Sequence, residues 1–251
     1  MLKIRCITQA SMCYHIALLA DQFDDFVDYF DIPGYNKDYH AEIYQKTYHV
    51  NGFTKPYIPV IRPRDGSVVI DCCRWGLIPH WVSDTKRFKA NTLNARNDEL
   101  FDKPSYRSYW RNRCLVIVSG FFEPRDRKLA GLPEPASKLQ KTESWFIKHA
   151  TEPFLTLGGI YCNDTVAIIT TDASPLLEQI HNDGKRMPLI LNNEDLRDRW
   201  LLGDLDQKEM ARLMATHPDD TQLEAYRTID GIMNNRIDTN VPEAVLPLSD
   251  P

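Results

Sequence analysis

Residues 144–171, SWFIKHATEPFLTLGGIYCNDTVAIITT, decide the fold. Three runs rich in β-branched and aromatic residues follow one another there: SWFIKH (144–149), PFLTLGGIY (153–161) and TVAIITT (165–171). Such short, turn-like spacing predicts an antiparallel sheet or an open barrel. Upstream, CLVIVSGFFE (114–123) reads as a further strand, apolar enough to be buried on both faces. SVVIDCCRWG (67–76) reads as another, introduced by the turn pair Asp65-Gly66. Between them and the opening stretch, PRDRKLAGLPEPASKLQKTE (124–143) is polar and rich in Pro and Lys, which predicts a surface loop or hairpin tip.

Helices flank these strands. DQFDDFVDYFD (21–31) spaces Phe23, Phe26, Val27 and Phe30 three and four apart, an amphipathic pattern with an acidic outer face. The stretch after it, with Gly34, Asn36 and several His and Tyr, reads as loop. A helix starts near Asp172 or Ser174 with Pro175 in its first turn. NNEDLRDRWL (192–201) and LDQKEMARLMA (205–215) predict two more, and the tail holds one short strand and then loop. With no internal repeat, low-complexity tract or linker, one α+β domain over residues 12–251 is the simplest reading, mostly antiparallel sheet with flanking helices.

A chain of 251 residues with 43% hydrophobic and 26% charged residues is ordinary for a globular protein. No apolar run approaches the roughly 20 residues that span a bilayer. The first residues lack a secretory apolar stretch. The expectation is therefore a cytoplasmic protein with no membrane contact. Six cysteines without a CxxC pair argue against structural zinc, so no metal is expected. The net charge of −5 argues against a protein that coats nucleic acid. Residues 54–128, however, hold 15 Lys and Arg against 8 Asp and Glu. That basic middle suits a local groove for a polyanion, or else Lys86, Arg87, Lys89, Arg107, Arg111 and Arg113 are simply solvated charges.

Several residues carry chemistry. Cys13 follows Met12 in MCYH (12–15), a second plausible start eleven residues into the chain. A lone cysteine is ordinarily a small apolar residue. With Met12 removed it would instead expose an α-amine, of reference pKa about 7.7–8.0, beside a nucleophilic thiol. Such a 1,2-aminothiol condenses with an aldehyde to a five-membered thiazolidine; an internal Cys13 cannot. In TLNARNDEL (92–100), Asn94 and Arg96 are either a polar turn or an amide and a guanidinium placed to bind a ligand oxygen and a phosphate. Glu123, ending GFFE, either marks a strand's exit into solvent or faces a pocket with its pKa raised for acid–base work. His181 in IHNDGKRMPLIL (180–191) either complements a helix dipole or carries protons. In RWGLIPHW (74–81), Trp75, Pro79 and Trp81 are either core or an apolar shelf for unstacked bases.

The order of these motifs matters more than any one. MC near the start, WG-x-x-P-x-W, LNAR, GFFE, then IH followed by RMP-L-I-L together resemble the SRAP family (SOS response-associated peptidase). In animals that family was first described as a reader of 5-hydroxymethylcytosine. The resemblance runs from Met12 to the closing YRTI and NNRIDTNVPEAVLP segments. It implies an abasic-site processing protein acting on single-stranded DNA. Cys13 would capture the ring-opened aldehyde as a thiazolidine, giving a protective DNA–protein crosslink. Asn94 would position the cysteine and the sugar oxygens, Glu123 would shuttle protons, and His181 would assist at the opening sugar hydroxyl. Arg96 would hold a neighbouring phosphate, with His15, Trp75, Pro79, Trp81 and Arg186 completing the DNA-binding set. A monomer without any cofactor is implied, and the imine extends the implied chemistry to weak lyase activity.

Three departures stand out. Many relatives read Cys-Gly-Arg where this chain has Cys13-Tyr14-His15. Many have tryptophan after the glutamate, where Pro124 stands here. And residues 1–11 precede Met12, either as a misplaced start or as a segment removed after synthesis. Two other readings compete: a cysteine-type peptidase built on Cys13, His181 and Glu123 or Asn94, and a non-covalent module for single-stranded or modified DNA.

Overall fold

The computed structural model describes residues 13–133, 141–234 and 236–248; residues 1–11 and Met12 lie outside the described residues. The elements in chain order are β1 (His15–Leu18), α1 (Asp24–Phe30), α2 (Lys37–Ile43), β2 (Thr47–Asn51), β3 (Tyr57–Arg64), β4 (Ser67–Trp75), β5 (Asn94–Arg96) and β6 (Arg113–Val118). They continue with β7 (Gly120–Asp126), β8 (Thr142–His149), β9 (Leu155–Cys162), β10 (Thr165–Asp172), α3 (Pro175–Ile180), β11 (Arg186–Pro188), α4 (Glu194–Leu202), α5 (Gln207–Met214) and β12 (Leu223–Arg227). The α+β reading holds, and the strands form two predominantly antiparallel sheets.

The first sheet orders its strands β12-β8-β7-β1-β2. The second runs β11-β10-β4-β3-β6-β9, with β5 alongside β10. It curls strongly, because β10 pairs antiparallel with β9 on one edge and meets β4 and β5 in parallel on the other. The three runs that opened the sequence therefore divide between sheets: β8 belongs to the first, β9 and β10 to the second.

CLVIVSGFFE is two strands, not one. The chain crosses from the second sheet to the first at Ser119, whose hydroxyl accepts the Leu19 amide at 2.8 Å. Gly120 permits the crossing, since a Cβ there would lie 2.3 Å from the Phe146 ring. Alternation along β6 explains its continuous apolar character. Cys114, Val116 and Val118 face the core between the sheets, while Leu115 and Ile117 face a second core under the helices. Trp200, Met210 and Phe26 close that second core from outside.

The stretch with Gly34 and Asn36 is not all loop: it holds α2. Its periodicity is short and polar, so little in the sequence signals it. A tertiary hydrogen bond secures it, His40 Nε2 lying 2.6 Å from Asp71 Oδ1 in the buried interior. The hairpin tip in 124–143 is narrower than its composition suggests, because β7 runs on to Asp126 and β8 begins at Thr142. The basic middle is partly structural too. Arg113 is buried and donates to the carbonyls of Trp200 and Gly203, capping the C-terminal end of α4. Arg62 is committed to Asp71 and Asp164.

Candidate functional site

Cys13 lies two residues before the start of β1, which lies in the first sheet antiparallel to β7. This places its side chain in the core between the sheets, 2% exposed. Glu123 enters the same core from β7, 1% exposed. Along β7, Phe121 faces that core while Phe122 faces the opposite side with Phe146, so alternation brings Glu123 inward. The carboxyl lies against the Cys13 thiol. Burial holds Glu123 well above the usual carboxylate range, and no N–H or O–H of a described residue reaches either of its oxygens. Burial also pushes the Cys13 thiol up, and the neighbouring carboxylate adds to that shift. Burial thus favours the protonated form of both the acid and the thiol.

Asn94 reaches the centre from the second sheet, where β5 is held beside β10 with Asn94 opposite Ile168. Its Nδ2 donates to the Cys13 carbonyl at 2.8 Å, which fixes the amide's orientation and leaves Oδ1 a buried acceptor without a partner among the described residues. Tyr106, fully buried, steadies β5 by donating its hydroxyl to the Asn94 carbonyl at 2.8 Å. His181 caps α3, whose Ser174 N-cap and Pro175 start match the sequence pattern. The imidazole is buried, and its Nδ1 lies 2.7 Å from the Arg186 carbonyl oxygen and 3.2 Å from the Arg186 amide nitrogen, which fixes the ring against the turn. Asn182 ties this turn to β7 by bonding both the N–H and C=O of Asp126. Cys13, Asn94, Glu123 and the His181 turn are therefore gathered at one end of the two-sheet core.

The remaining predicted residues scatter. Arg96 points outward, but its guanidinium already grips Asp98 in a fork, at 3.0 and 2.7 Å. Arg186 is buried and committed to Asp172, Asn97 and Thr170, which makes it a strut between β11, β10 and the β5 loop. His15 is buried on the opposite face of β1, its Nδ1 2.8 Å from His49 Nε2. Burial and that neighbour lower its pKa to about 3, so it is neutral and turned away from any phosphate. Trp75 is core: its ring packs against Gly52 and its Nε1 donates to the Leu93 carbonyl at 2.9 Å. Pro79 is buried as well, and of the three shelf candidates only Trp81 is exposed, edge-on to Phe88.

A groove of the kind the basic middle suggested lies next to this centre. An open cavity of about 650 Å³ is lined by Phe53, Lys55, Arg74, Lys86, Phe88 and Lys89 among others. Tyr14, the residue after Cys13, contacts two residues of this lining. Its ring packs on Phe53 at 4.7 Å, and its hydroxyl accepts a hydrogen bond from Asn91 at 3.1 Å. The excess of Lys and Arg in residues 54–128 was the signal that pointed to it; which of those charges converge was not legible. Among the described residues, no group of three or more His, Cys, Asp or Glu side chains is placed to hold a metal ion, and no helix is long and apolar enough to cross a membrane.

Two packed sheets with a cysteine, a carboxyl and an amide converging at a strand end define a specific class of α+β protein. The chain belongs to the SOS response associated peptidase (SRAP) family, whose model matches residues 12–235. It is 29% identical over 210 residues to the abasic site processing protein HMCES of Pongo abelii, covering 72% of this chain and 57% of that protein. To the Rattus norvegicus protein of the same name it is 30% identical over 203 residues, 69% of this chain and 55% of that one. An abasic site processing protein of Saccharomyces cerevisiae is 29% identical over 216 residues, 80% of this chain and 52% of its own length. The chain thus spans about half the length of the curated relatives it matches. Among solved structures, a Bacteroides thetaiotaomicron protein superposes with a TM-score of 0.78 at 29% identity, covering 94% of this chain and all of that one. A Bordetella bronchiseptica protein at 22% identity and a TM-score of 0.65 shares the fold.

Proposed function

We propose that this protein processes abasic sites in single-stranded DNA by covalent capture on Cys13. The observation that carries the reading is the Cys13–Glu123 pair, a buried carboxyl against the thiol of a cysteine whose carbonyl is held by Asn94. The names of the relatives, abasic site processing proteins, support the substrate. The basic groove lined by Lys55, Arg74, Lys86 and Lys89 supplies the cationic path that a DNA strand needs.

The chemistry follows from those groups. The α-amine of Cys13 adds to the C1′ aldehyde of the opened sugar. Glu123 gives its proton to the departing hydroxyl, and water leaves as the imine forms. The thiol then adds to the imine carbon and passes its proton to the Glu123 carboxylate. One C–N and one C–S bond have formed, one water has been lost, and Glu123 ends as it began. A thiol held protonated by burial suits this order, since it needs a base only after the imine exists. Asn94 Oδ1 is an acceptor suited to orienting the amine, and the His181 imidazole to handling the sugar hydroxyl proton. A flanking phosphate would compete with Asp98 for the Arg96 fork.

A cysteine peptidase instead needs a base that draws the thiol pKa down. The opposite shift at Cys13 favours capture over that reading, and leaves self-processing and weak lyase activity as side reactions of the same centre. The chemistry requires a free amine on Cys13. The test is the intact mass of protein expressed from Met1 and from Met12, before and after incubation with a single-stranded oligonucleotide carrying one abasic site. Protein beginning at Cys13 should gain the oligonucleotide's mass less one water. A Cys13 terminus that forms no adduct would overturn the proposal.

A further inference from the structure

Two residues beyond Glu123 the same strand presents Arg125, and Arg127 follows at the same spacing. Register fixes their surroundings. Glu123 lies opposite Trp145, Arg125 opposite Glu143, and Arg227 of β12 opposite Trp145 from the other side. Cross-strand partners share a face of the sheet, so these side chains form a patch continuous with the inward face that carries Glu123.

At the centre of that patch is one buried carboxylate, Glu143. Arg127 Nη1 lies 3.0 Å from its Oε1 and Arg227 Nη1 3.7 Å from the same oxygen, while Arg125 Nη1 is 3.7 Å from Oε2. Only the Arg127 approach has hydrogen-bond length. The Arg125 guanidinium sits 5.5 Å from the centroid of the Trp145 ring, and its side chain is 30% exposed. The Nε atoms of all three arginines are buried without a hydrogen-bond partner among the described residues. Asp230, 3.4 Å from Arg227, offsets part of the charge at one edge.

One carboxylate is neutralised by one guanidinium. Three around it leave a cationic surplus whose mutual repulsion is relieved by an additional anion. The forked donors of arginine match a phosphate in two places, and an aromatic ring beneath them suits an adjoining base. We infer that Arg125, Arg127 and Arg227, backed by Trp145, form a binding site for a phosphodiester of the DNA strand beside the Cys13–Glu123 centre. The inference rests on the proposed function for the identity of that strand. Two residues along a strand span about 7 Å, which puts this site next to the reacting sugar. Arg96 comes from the second sheet and this trio from the first, so a strand gripped by both is held from two sides.

The test is non-covalent binding of the full chain to an undamaged single-stranded oligonucleotide, followed by fluorescence anisotropy across a salt series. The Arg125→Gln/Arg227→Gln double variant should bind several-fold more weakly. Its plot of log K against log salt should be shallower by about 0.7 for each phosphate no longer neutralised. Glu143→Gln should bind more tightly than the parent, because it frees the arginines. If the arginines serve only to hold Glu143, the double variant, shown to be folded by its urea midpoint, will keep the parental affinity and slope, and the site is overturned. The parent is tested in parallel against an abasic-site oligonucleotide. An adduct with unchanged slopes rejects the arginine site alone. Changed slopes without any adduct from a chain that begins at Cys13 reject the capture reading and leave the site standing.

Discussion

The hydroxyl of Tyr14 lies 3.1 Å from the Asn91 side-chain nitrogen, so the residue that follows Cys13 is tied to the lining of the basic groove. Its ring is 8% exposed and packs on Phe53, a second residue of that lining. Tyr14→Phe keeps the ring and removes the bond. It should cost about 1 kcal/mol, seen as a lower urea midpoint at unchanged slope.

Glu123 makes neutral pH costly for the fold. Its folded pKa is raised by burial, so between the unfolded carboxylate value of about 4.3 and that raised value the unfolded chain releases a proton that the folded chain retains. Stability is therefore full below the unfolded pKa and falls as pH rises through the window. Glu123→Gln should raise the melting temperature at pH 7–8, and the gain should vanish near pH 4. A gain that persisted at pH 4 would refute the assignment. The same variant should lose capture.

The His15–His49 pair acts with the opposite sign. Burial lowers both, to about 3 and about 4, against about 6.5 unfolded. The unfolded chain takes up protons first as pH drops below 6.5, so stability is lost on acidification towards pH 4. Histidine ring resonances should show two side chains that do not titrate above pH 5. His49→Gln should flatten the stability profile between pH 6 and 4, while removing a bond network that runs on to Thr239.

Asp71 holds four donors at once: His40, Arg62, Arg64 and the Cys72 amide. Asp71→Ala takes from the buried Arg62 its one buried carboxylate partner and leaves only the exposed Asp164, and the expected loss is about 3 kcal/mol. Denaturant unfolding should show this, and α2 should fray because His40 loses its anchor.

Gly120→Ala tests the strand crossing. The new methyl meets Phe146 at 2.3 Å and the Ile147 carbonyl at 2.7 Å, so the sheets must part locally. A cost of about 1–3 kcal/mol is expected from overpacking, again read from the urea midpoint.

The strands and helices with strong periodicity were legible in the sequence. TVAIITT and PFLTLGGIY needed only their patterning, and Ser174-Pro175, Asn193 and Asp206 announce helix starts by their capping chemistry. What was hidden depended on distant partners. Whether CLVIVSGFFE stays in one sheet is decided by Phe146 and Leu19, and α2 is decided by Asp71. The same holds for the candidate site. Cys13, Asn94 and Glu123 were nameable from their motifs, and the structure brings them together. Arg186, Trp75 and His15 share those motifs, yet burial commits them to Asp172, Gly52 and His49 instead. A motif marks a chemical type, and only the packing tells whether its polar end faces a ligand.

The crossing at Ser119 has a dynamic consequence. Because β6 and β7 are one run of chain shared by two sheets, neither sheet can open without the other. Their amides belong to a single cooperative unit and should be among the slowest in the molecule to exchange hydrogen with solvent. Glu123 rides on that seam four residues after Ser119. Accommodation of an incoming strand falls instead to groups held at the surface, the Arg96–Asp98 pair and the stretch from Trp81 to Asn91, whose amides should exchange orders of magnitude faster.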